Sequence, residues 1–143
     1  MGSLAVSTVL TTIARYLLGA FLVSAGVAHL TSARIEFQAQ VPVWLPLNPD
    51  FVVVASGVVE IVLGVLLFAF GRILPWVGLG TAAFFIAIFP GNINQFVESI
   101  DAFGLDTDQA RSMRLFFQPV LVAWALWSTR GWRLITARFR REP

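Results

Sequence analysis

Cysteine and lysine are absent from this sequence, and histidine and tyrosine occur once each. Without cysteine the chain cannot form a disulfide, a thiol relay, an iron–sulfur cluster or a thiolate metal site of its own. A single histidine excludes a haem held by two histidines of one chain. Charge is scarce as well, since charged residues make up 13% of the chain, whereas soluble proteins have about 25%. The composition is therefore not that of a soluble protein.

Hydrophobic residues are what the chain has in abundance, at 57% of 143 residues. A helix of about 20 apolar residues is long enough to cross a bilayer. Four such stretches are present, over about 4–30, 51–70, 73–90 and 112–129. We therefore predict one all-α domain, an integral membrane four-helix bundle whose outer loops, 31–50 and 91–111, lie on the membrane surface.

Charge placement predicts the orientation of this bundle. All ten basic residues are arginines, and the tail 130–143 holds a cluster of them, whereas the third connection is acidic. By the positive-inside rule both termini face the cytoplasm and the two long loops face outside. The basic tail then acts as a topology signal and a contact for anionic lipids, so the lipid bilayer, and not nucleic acid, is the expected partner.

The two predicted outer loops are unusually apolar. Trp44 in the first loop is surrounded by prolines, which is typical of a segment at the headgroup level. In the second loop apolar side chains recur at helical spacing and predict a short surface helix containing Phe96, Val97, Ile100 and Phe103. Pro90 is predicted to end the third membrane helix.

Glu60 is the one charged residue of the second apolar stretch and falls near its middle. A charge at the membrane centre costs roughly 2.5–3.5 kcal/mol, so such residues usually face protein or water rather than lipid. Gly57 and Gly64 lie on the same helical stripe, where small residues let a neighbouring helix approach closely. We therefore expect the bundle to pack around Glu60.

Other polar residues fall on inward stripes of the neighbouring helices. On the first helix Arg15 and His29 share one face with two glycines. Because side chains lean toward the N-terminus of their own helix, His29 and Glu60 lean toward each other and Arg15 leans away. The sequence therefore predicts a polar pocket in the outer half of the bundle.

The candidate catalytic residues of this pocket are Glu60 and His29, which would exchange a proton, since burial favours the neutral form of a carboxyl group. No metal site is predicted. The candidate ligand-binding residues are Arg15, Asn92, Asn94, Arg114 and Gln118. Plainer interpretations stand beside these. Glu60 is equally explained as an acid that fixes helix packing, His29 as an interface residue, and Arg15 as a side chain that reaches toward the cytoplasm.

Five short motifs follow one another between Arg15 and Asn94. They are Arg15-x-x-Leu18-Gly19, Gly26-x-x-His29, Val41-Pro42-x-Trp44-Leu45-Pro46, Ser56-Gly57-x-x-Glu60-x-x-Leu63-Gly64 and Phe89-Pro90-x-Asn92. Their order and spacing resemble the DoxX-like family of small four-helix bacterial membrane proteins. The resemblance implies a multi-pass protein of the bacterial plasma (inner) membrane. Arg15, His29, Glu60 and Asn92 match recurrent polar positions of that family, for which no role is agreed.

The functional implications of this resemblance concern redox chemistry. The namesake is a small subunit of an archaeal terminal quinol oxidase associated with thiosulfate:quinone oxidoreductase, and other members are linked to oxidative-stress complexes. Quinone is thus the candidate cofactor, although the chain encodes none, and a partner enzyme or a homo-oligomer is expected. Members with paired cysteines suggest thiol chemistry, which this cysteine-free chain cannot perform.

Three functions stay open at this point. The first is an accessory subunit of a membrane redox system that handles a quinone or another lipophilic substrate, with electrons supplied by a partner enzyme. The second is a carrier or channel for a small solute or a proton, working as an oligomer. The third is a structural or assembly subunit whose polar centre only specifies the fold. The resemblance places the redox subunit first and leaves open whether the chain is an enzyme.

Overall fold

The structure is a computed structural model that describes residues 2–104 and 106–140. Over these residues it is all-α, as predicted, with 79% of them helical and none in a strand. A 3₁₀ turn over Gly71–Ile73 precedes the fourth helix. The helices are α1 (Gly2–Leu30), α2 (Arg34–Gln38), α3 (Pro49–Leu66), α4 (Leu74–Val97), α5 (Asp108–Thr129) and α6 (Trp132–Phe139).

Three stretches of the described chain are long and apolar enough to cross a membrane. They are Leu4–Leu30, Pro49–Leu66 and Gly71–Val97. Large apolar side chains cover much of the molecular surface, whereas the buried set includes Arg15, His29 and Glu60. Polar residues inside and apolar residues outside are typical of membrane proteins, so the spans indicate a membrane protein. Helix α5 is more polar, because its first two turns contain Asp108, Arg111 and Arg114.

Glycines bring α1 and α3 together backbone to backbone. A Cβ atom added at Gly26 would lie 2.6 Å from the carbonyl oxygen of Gly57, and one added at Gly19 would lie 2.8 Å from that of Gly64. A Cβ atom added at Gly57 would lie 2.7 Å from the Cβ of His29. Because real side chains cannot occupy such positions, these glycines set the distance between the helices and hold His29 against α3.

The long helices form two close pairs. α1 packs on α3 and α4 packs on α5, whereas α3 and α4 touch each other little. Trp124 donates its indole N–H to the carbonyl of Ala14 over 2.8 Å and joins α5 to α1. An apolar core fills the bundle toward the short turn between α3 and α4, with Leu18, Leu22, Leu67, Val77, Ala82, Phe85, Leu121 and Ala125. The opposite end, where α1 and α4 end, is called the loop end below.

Helix α4 is longer than the sequence predicts, and Pro90 does not end it. The helix runs through Pro90 to Val97. Proline removes one helical hydrogen bond and costs about 3 kcal/mol in a helix interior. Tertiary hydrogen bonds tie the last turns of α4 to the rest of the bundle, since Asn92 binds Gln118 and Gln95 binds Gln40. Helices in apolar surroundings tolerate proline where neighbours supply such bonds.

The loops also differ from the prediction. The prediction of a surface helix over Phe96–Phe103 is wrong. Phe96 and Val97 complete α4, and the described chain that follows is irregular, with positive φ at Ser99 and Phe103.

The first outer loop contains α2, which was not predicted. This helix is tied to α3 by Arg34, which donates from Nε to Oδ1 of Asp50 over 2.7 Å and from its terminal nitrogen to Oδ2. These two hydrogen bonds and the negative charge of Asp50 raise the pKa of Arg34. The tail contains α6, also not predicted.

Replacing Gly57 by leucine should separate α1 from α3. The new side chain meets the backbone of Gly26 and the Cβ of His29, so we expect the free energy of unfolding to fall by about 3 kcal/mol or more. Gly80→Leu is the matched control, because a Cβ atom there meets only Leu63, at 3.8 Å. Thermal unfolding in detergent, followed by circular dichroism, measures both. Equal melting temperatures for the two variants would contradict the close packing of α1 on α3.

Candidate functional site

A cavity of about 860 Å³ lies within the loop end of the bundle. All four long helices contribute to it, together with Phe37 of α2 and the chain from Gln40 to Leu45. Most of the lining is apolar, and a few polar side chains interrupt it. These are His29, Gln40, Ser56, Glu60, Asn92, Arg114 and Gln118. Sites for small organic molecules have this character and volumes of about 300–1,000 Å³.

His29 and Glu60 meet on one wall of the cavity. Nδ1 of His29 lies 2.8 Å from Oε2 of Glu60, and the two residues are only 8% and 4% exposed. Nδ1 also lies 2.9 Å from the carbonyl oxygen of Ala25, one turn earlier on α1. A ring N–H directed at Ala25 leaves Oε2 near Nδ1 but without an aligned hydrogen bond in the described chain. A proton on Nδ1 is thus donated to Ala25, whereas a proton on Oε2 would be donated to Nδ1.

The imidazole ring of His29 is held on two sides. Phe37 stacks on it with ring centroids 3.4 Å apart and an interplanar angle of 14°. The ring centroids of Phe37 and Phe103 lie 4.6 Å apart, so both outer loops contribute to this cluster. Behind the ring, the Cβ of His29 lies against Gly57. The orientation of the ring toward Glu60 is therefore set by packing as well as by polar contacts.

An amide pair forms the polar part of the α4–α5 wall. Nδ2 of Asn92 donates to Oε1 of Gln118 over 3.0 Å, and Nε2 of Gln118 donates to the carbonyl of Phe85 over 2.7 Å. Both groups of the Gln118 amide are thus used, and its orientation is fixed. Oδ1 of Asn92 makes no hydrogen bond within the described chain. Asn92 therefore offers the cavity one acceptor on a buried, positioned side chain.

Arg114 contributes a positive charge to the cavity lining. Its guanidinium group lies 5.0 Å from the centre of the Phe103 ring, a cation–π contact. The nearby acids Asp101 and Asp108 pair with Arg111 instead, at 2.6 and 2.8 Å. In the part of the chain that the structure describes, Arg114 has no carboxylate within ion-pair distance. Its charge is therefore available to a ligand in the cavity.

The outer loops pack over the loop end of the cavity, above these residues. Nε2 of Gln40 donates to Oε1 of Gln95 over 3.2 Å, and the carbonyl of Gln40 would lie 2.7 Å from a Cβ atom at Gly91. The N–H of Phe103 donates to Oε2 of Glu36 over 3.1 Å and joins the second loop to the first. The sequence analysis did not identify Phe37, Gln40 or Phe103 as site residues. For Phe37 and Phe103 the signal was the unusual apolarity of the loops, and nothing in the sequence indicated Gln40.

Five of the seven candidate site residues share this cavity: His29, Glu60, Asn92, Arg114 and Gln118. Arg15 and Asn94 do not line it. Arg15 lies toward the short turn, where it donates to the carbonyl of Ala69 over 2.5 Å, and its guanidinium group is 4.9 Å from the Tyr16 ring. Asn94 has a buried Nδ2 without a hydrogen-bond partner in the described residues. The chemical roles assigned to all seven residues remain predictions.

Sequence comparison gives a family match over most of the chain. A family model described as Domain of unknown function (DUF8561) matches residues 18–129. The matched range contains every residue that lines the cavity, whereas Arg15 and the tail lie outside it. Neither a curated protein nor a solved structure matches the chain. The matching family is therefore described without an activity.

Replacing Glu60 by lysine should destabilise the protein severely. The change places a positive charge beside His29 in a buried site and removes the acid, and breaking a buried pair costs about 3–5 kcal/mol. Glu98→Lys is the control, because Glu98 is exposed and a surface change typically alters stability by about 0.5 kcal/mol or less. Membrane yield and thermal unfolding measure both variants. A stable Glu60→Lys protein would contradict the burial of this acid.

Proposed function

The chain belongs to the DUF8561 family, whose description names no activity, so we propose its function from the cavity, with the resemblance to DoxX-like proteins as an analogy. It binds a lipophilic molecule with a polar head, such as a quinone, as an accessory subunit of a membrane redox system. The observation that carries this proposal is the cavity of about 860 Å³, whose mostly apolar wall is interrupted by a buried His29–Glu60 pair and a buried Asn92–Gln118 pair.

The lining residues fit a quinone head in shape and chemistry. Aromatic side chains such as Phe84, Phe85 and Phe117 offer flat apolar surface to a ring. The carbonyl oxygens of a quinone accept hydrogen bonds, and Arg114 and His29 carry donors at the cavity wall. The hydroxyl groups of a quinol are donors, and Glu60 and Asn92 offer acceptor oxygens. Both redox forms of the head therefore find complementary groups.

In this proposal His29 and Glu60 handle protons and the partner handles electrons. Reduction of a quinone to a quinol takes up two electrons and two protons. The electrons come from a partner oxidoreductase, since the sequence has no motif for a metal or flavin centre. The short distance between Nδ1 and Oε2 lets the pair hold a proton on either atom beside the bound head. Glu60 is thus the group that passes the two protons to the ligand one after the other, and His29 positions Glu60 and returns a proton to it after each transfer.

Two further points support ligand binding over a purely structural centre. A structural lock would leave the centre filled and the acid fully hydrogen-bonded, whereas here the acid lines a cavity and its Oε2 lacks an aligned bond in the described chain. The resemblance to DoxX-like proteins supports a redox setting by analogy. Three of the polar residues in its motifs, His29, Glu60 and Asn92, line the cavity.

We also propose that α5 is a fourth membrane span, that both termini are cytoplasmic and that the membrane is the bacterial plasma membrane. Packing of α5 on α4 and α1 supports the fourth span. The charge distribution supports the orientation, because the loop end holds acids and the opposite end the arginines of α6 and its flanks. The acids of the loop end are Glu36, Asp50, Glu98, Asp101, Asp106 and Asp108. The cavity then lies in the outer half of the membrane.

Quinone binding is the direct test of the proposed function. We expect the protein in lipid nanodiscs to bind a ubiquinone with one isoprenyl unit, as measured by equilibrium titration. Glu60→Gln keeps the shape of the side chain but removes the exchangeable acid, and the affinity should fall about tenfold, the loss of one strong hydrogen bond. Glu98→Gln, outside the cavity, should bind as the unchanged protein does. Absence of binding, or equal affinity in all three proteins, would contradict the proposal.

Cysteine labelling tests the proposed topology without a background, because the chain has no cysteine of its own. Asp106 and Arg138 are both exposed and lie at opposite ends of the bundle. In intact cells a membrane-impermeant thiol reagent should label Asp106→Cys and should label Arg138→Cys only after lysis. The reverse pattern would overturn the orientation, and labelling of both positions from outside would overturn the fourth span.

A further inference from the structure

The cavity lies at the loop end of the bundle, between the two close helix pairs. The pair α1–α3 is sealed by its glycines, and α4 lies along α5. Between the pairs the bundle has two seams, one between α3 and α4 and one between α1 and α5. Both seams contribute lining residues to the cavity, so each is a candidate path from the bilayer to the polar wall.

Side-chain size distinguishes the two seams. The α3–α4 seam is bordered by small cavity-lining residues, Ser56 on α3 and Ala87 and Gly91 on α4. Ala87 is exposed and Ser56 is half-buried, although both line the cavity, so the lining reaches the lipid-facing surface here. The α1–α5 seam is bordered by the large side chains of Phe21 and Phe117, each 47% exposed, so the lining reaches the surface there too. The smaller residues Ser56, Ala87 and Gly91 favour the α3–α4 seam as the path of a chain molecule.

The outer loops pack over the loop end of the cavity, where Trp44 of its lining is 67% exposed. Phe37 covers His29, Phe103 packs on Phe37, and Gln40 is hydrogen-bonded to Gln95 of α4. At the other end the cavity meets the apolar core. A sideways path from the hydrocarbon to the His29–Glu60 pair would leave these loop contacts in place.

The polar wall indicates what kind of head such a molecule has. Arg114 lines the cavity and has no carboxylate within ion-pair distance in the described chain. A cation in a largely apolar site is stabilised by acceptor or acidic oxygens, and a ligand that lacked them would leave it unpaired. A wholly apolar occupant such as a lipid tail is therefore a poor match to this wall.

We propose that the α3–α4 seam admits a membrane-dissolved amphiphile whose head carries acceptor oxygens. The head lies beside Arg114 and the His29–Glu60 pair, and the tail lies in the seam past Ser56 and Ala87. This inference rests on the proposed function for the identity of the head, but the open seam is a property of the protein alone. The tail-bearing part of the site is thus made by α3 and α4, and the head-binding part by all four long helices.

Spin labels measure the seam without any ligand. We would attach a nitroxide at Ser56→Cys, in nanodiscs, and compare its collision rates with oxygen, which concentrates in the bilayer, and with a water-soluble nickel chelate. Val62→Cys is the lipid-facing control, 51% exposed on α3 outside the cavity, and Val43→Cys is the aqueous control, 92% exposed in the first outer loop. The label at Ser56 should behave as the label at Val62 does. Behaviour like that of Val43, or shielding from both reagents, would overturn the lateral opening.

Two ubiquinones with tails of different length then test whether an isoprenoid tail occupies the α3–α4 seam. Ala87→Trp fills the seam, Ala83→Trp adds the same bulk one turn away outside the cavity, and Met113→Trp adds it on α5 at the opposite seam. For a ubiquinone with a long isoprenoid tail, Ala87→Trp should weaken binding at least about tenfold and the other two variants less than about twofold. The one-isoprenyl probe should be affected little by all three.

The outcomes separate this inference from the proposed function. Failure of the unchanged protein to bind either quinone, with an oxygen-accessible Ser56 label, would end the quinone proposal and leave the lateral seam supported. Tight binding of the long-tailed probe by Ala87→Trp would overturn the seam as its path. Weaker binding of both quinones by Ala87→Trp would also overturn the placing of the tail beside Ala87, because Ala87 would then border the head. Loss of the long-tailed probe in Met113→Trp alone would move the path to the α1–α5 seam.

Discussion

The contact between the glycines of α1 and α3 is the constraint on which the site depends. Gly26 faces Gly57 and Gly19 faces Gly64, and at each point a backbone carbonyl occupies the space a side chain would need. This approach places the Cβ of His29 against Gly57, and it brings the imidazole within 2.8 Å of Glu60 one turn further along α3. A packing feature without chemistry of its own therefore creates the polar pair. The second helix pair supplies the other wall.

The interior of this bundle combines two kinds of surroundings. Toward the short turn, apolar side chains such as Leu18, Leu22 and Ala125 fill the space between the helices. Toward the loop end, that space is a cavity with polar groups on opposite walls. In an apolar medium a buried polar group needs a partner, so the proposed polar ligand is supported by Oδ1 of Asn92 and by the charge of Arg114, which has no carboxylate within ion-pair distance in the described chain. The same groups would be costly if the cavity held lipid tails alone.

The sequence predicted the features that follow from periodicity and could not predict those that follow from tertiary contacts. The all-α fold, the inward glycine stripe and the opposed lean of His29 and Glu60 all come from helical geometry. The continuation of α4 through Pro90 does not, because the partners of its last turns are remote in sequence, such as Gln40, which is bonded to Gln95 across 55 residues. Helix α2 depends likewise on the contact of Arg34 with Asp50. Arg15 shares its stripe with His29 but lies too far along the helix to reach the cavity.

The link between the outer loops has a mechanical consequence. The first loop follows α1 and the second precedes α5, so the hydrogen bond from Phe103 to Glu36 and the tilted contact of the Phe103 and Phe37 rings tie one helix pair to the other at the loop end. Loop residues such as Phe37 and Phe103 form part of the cavity wall, so a change in loop sequence can reshape the cavity while the helix framework stays the same.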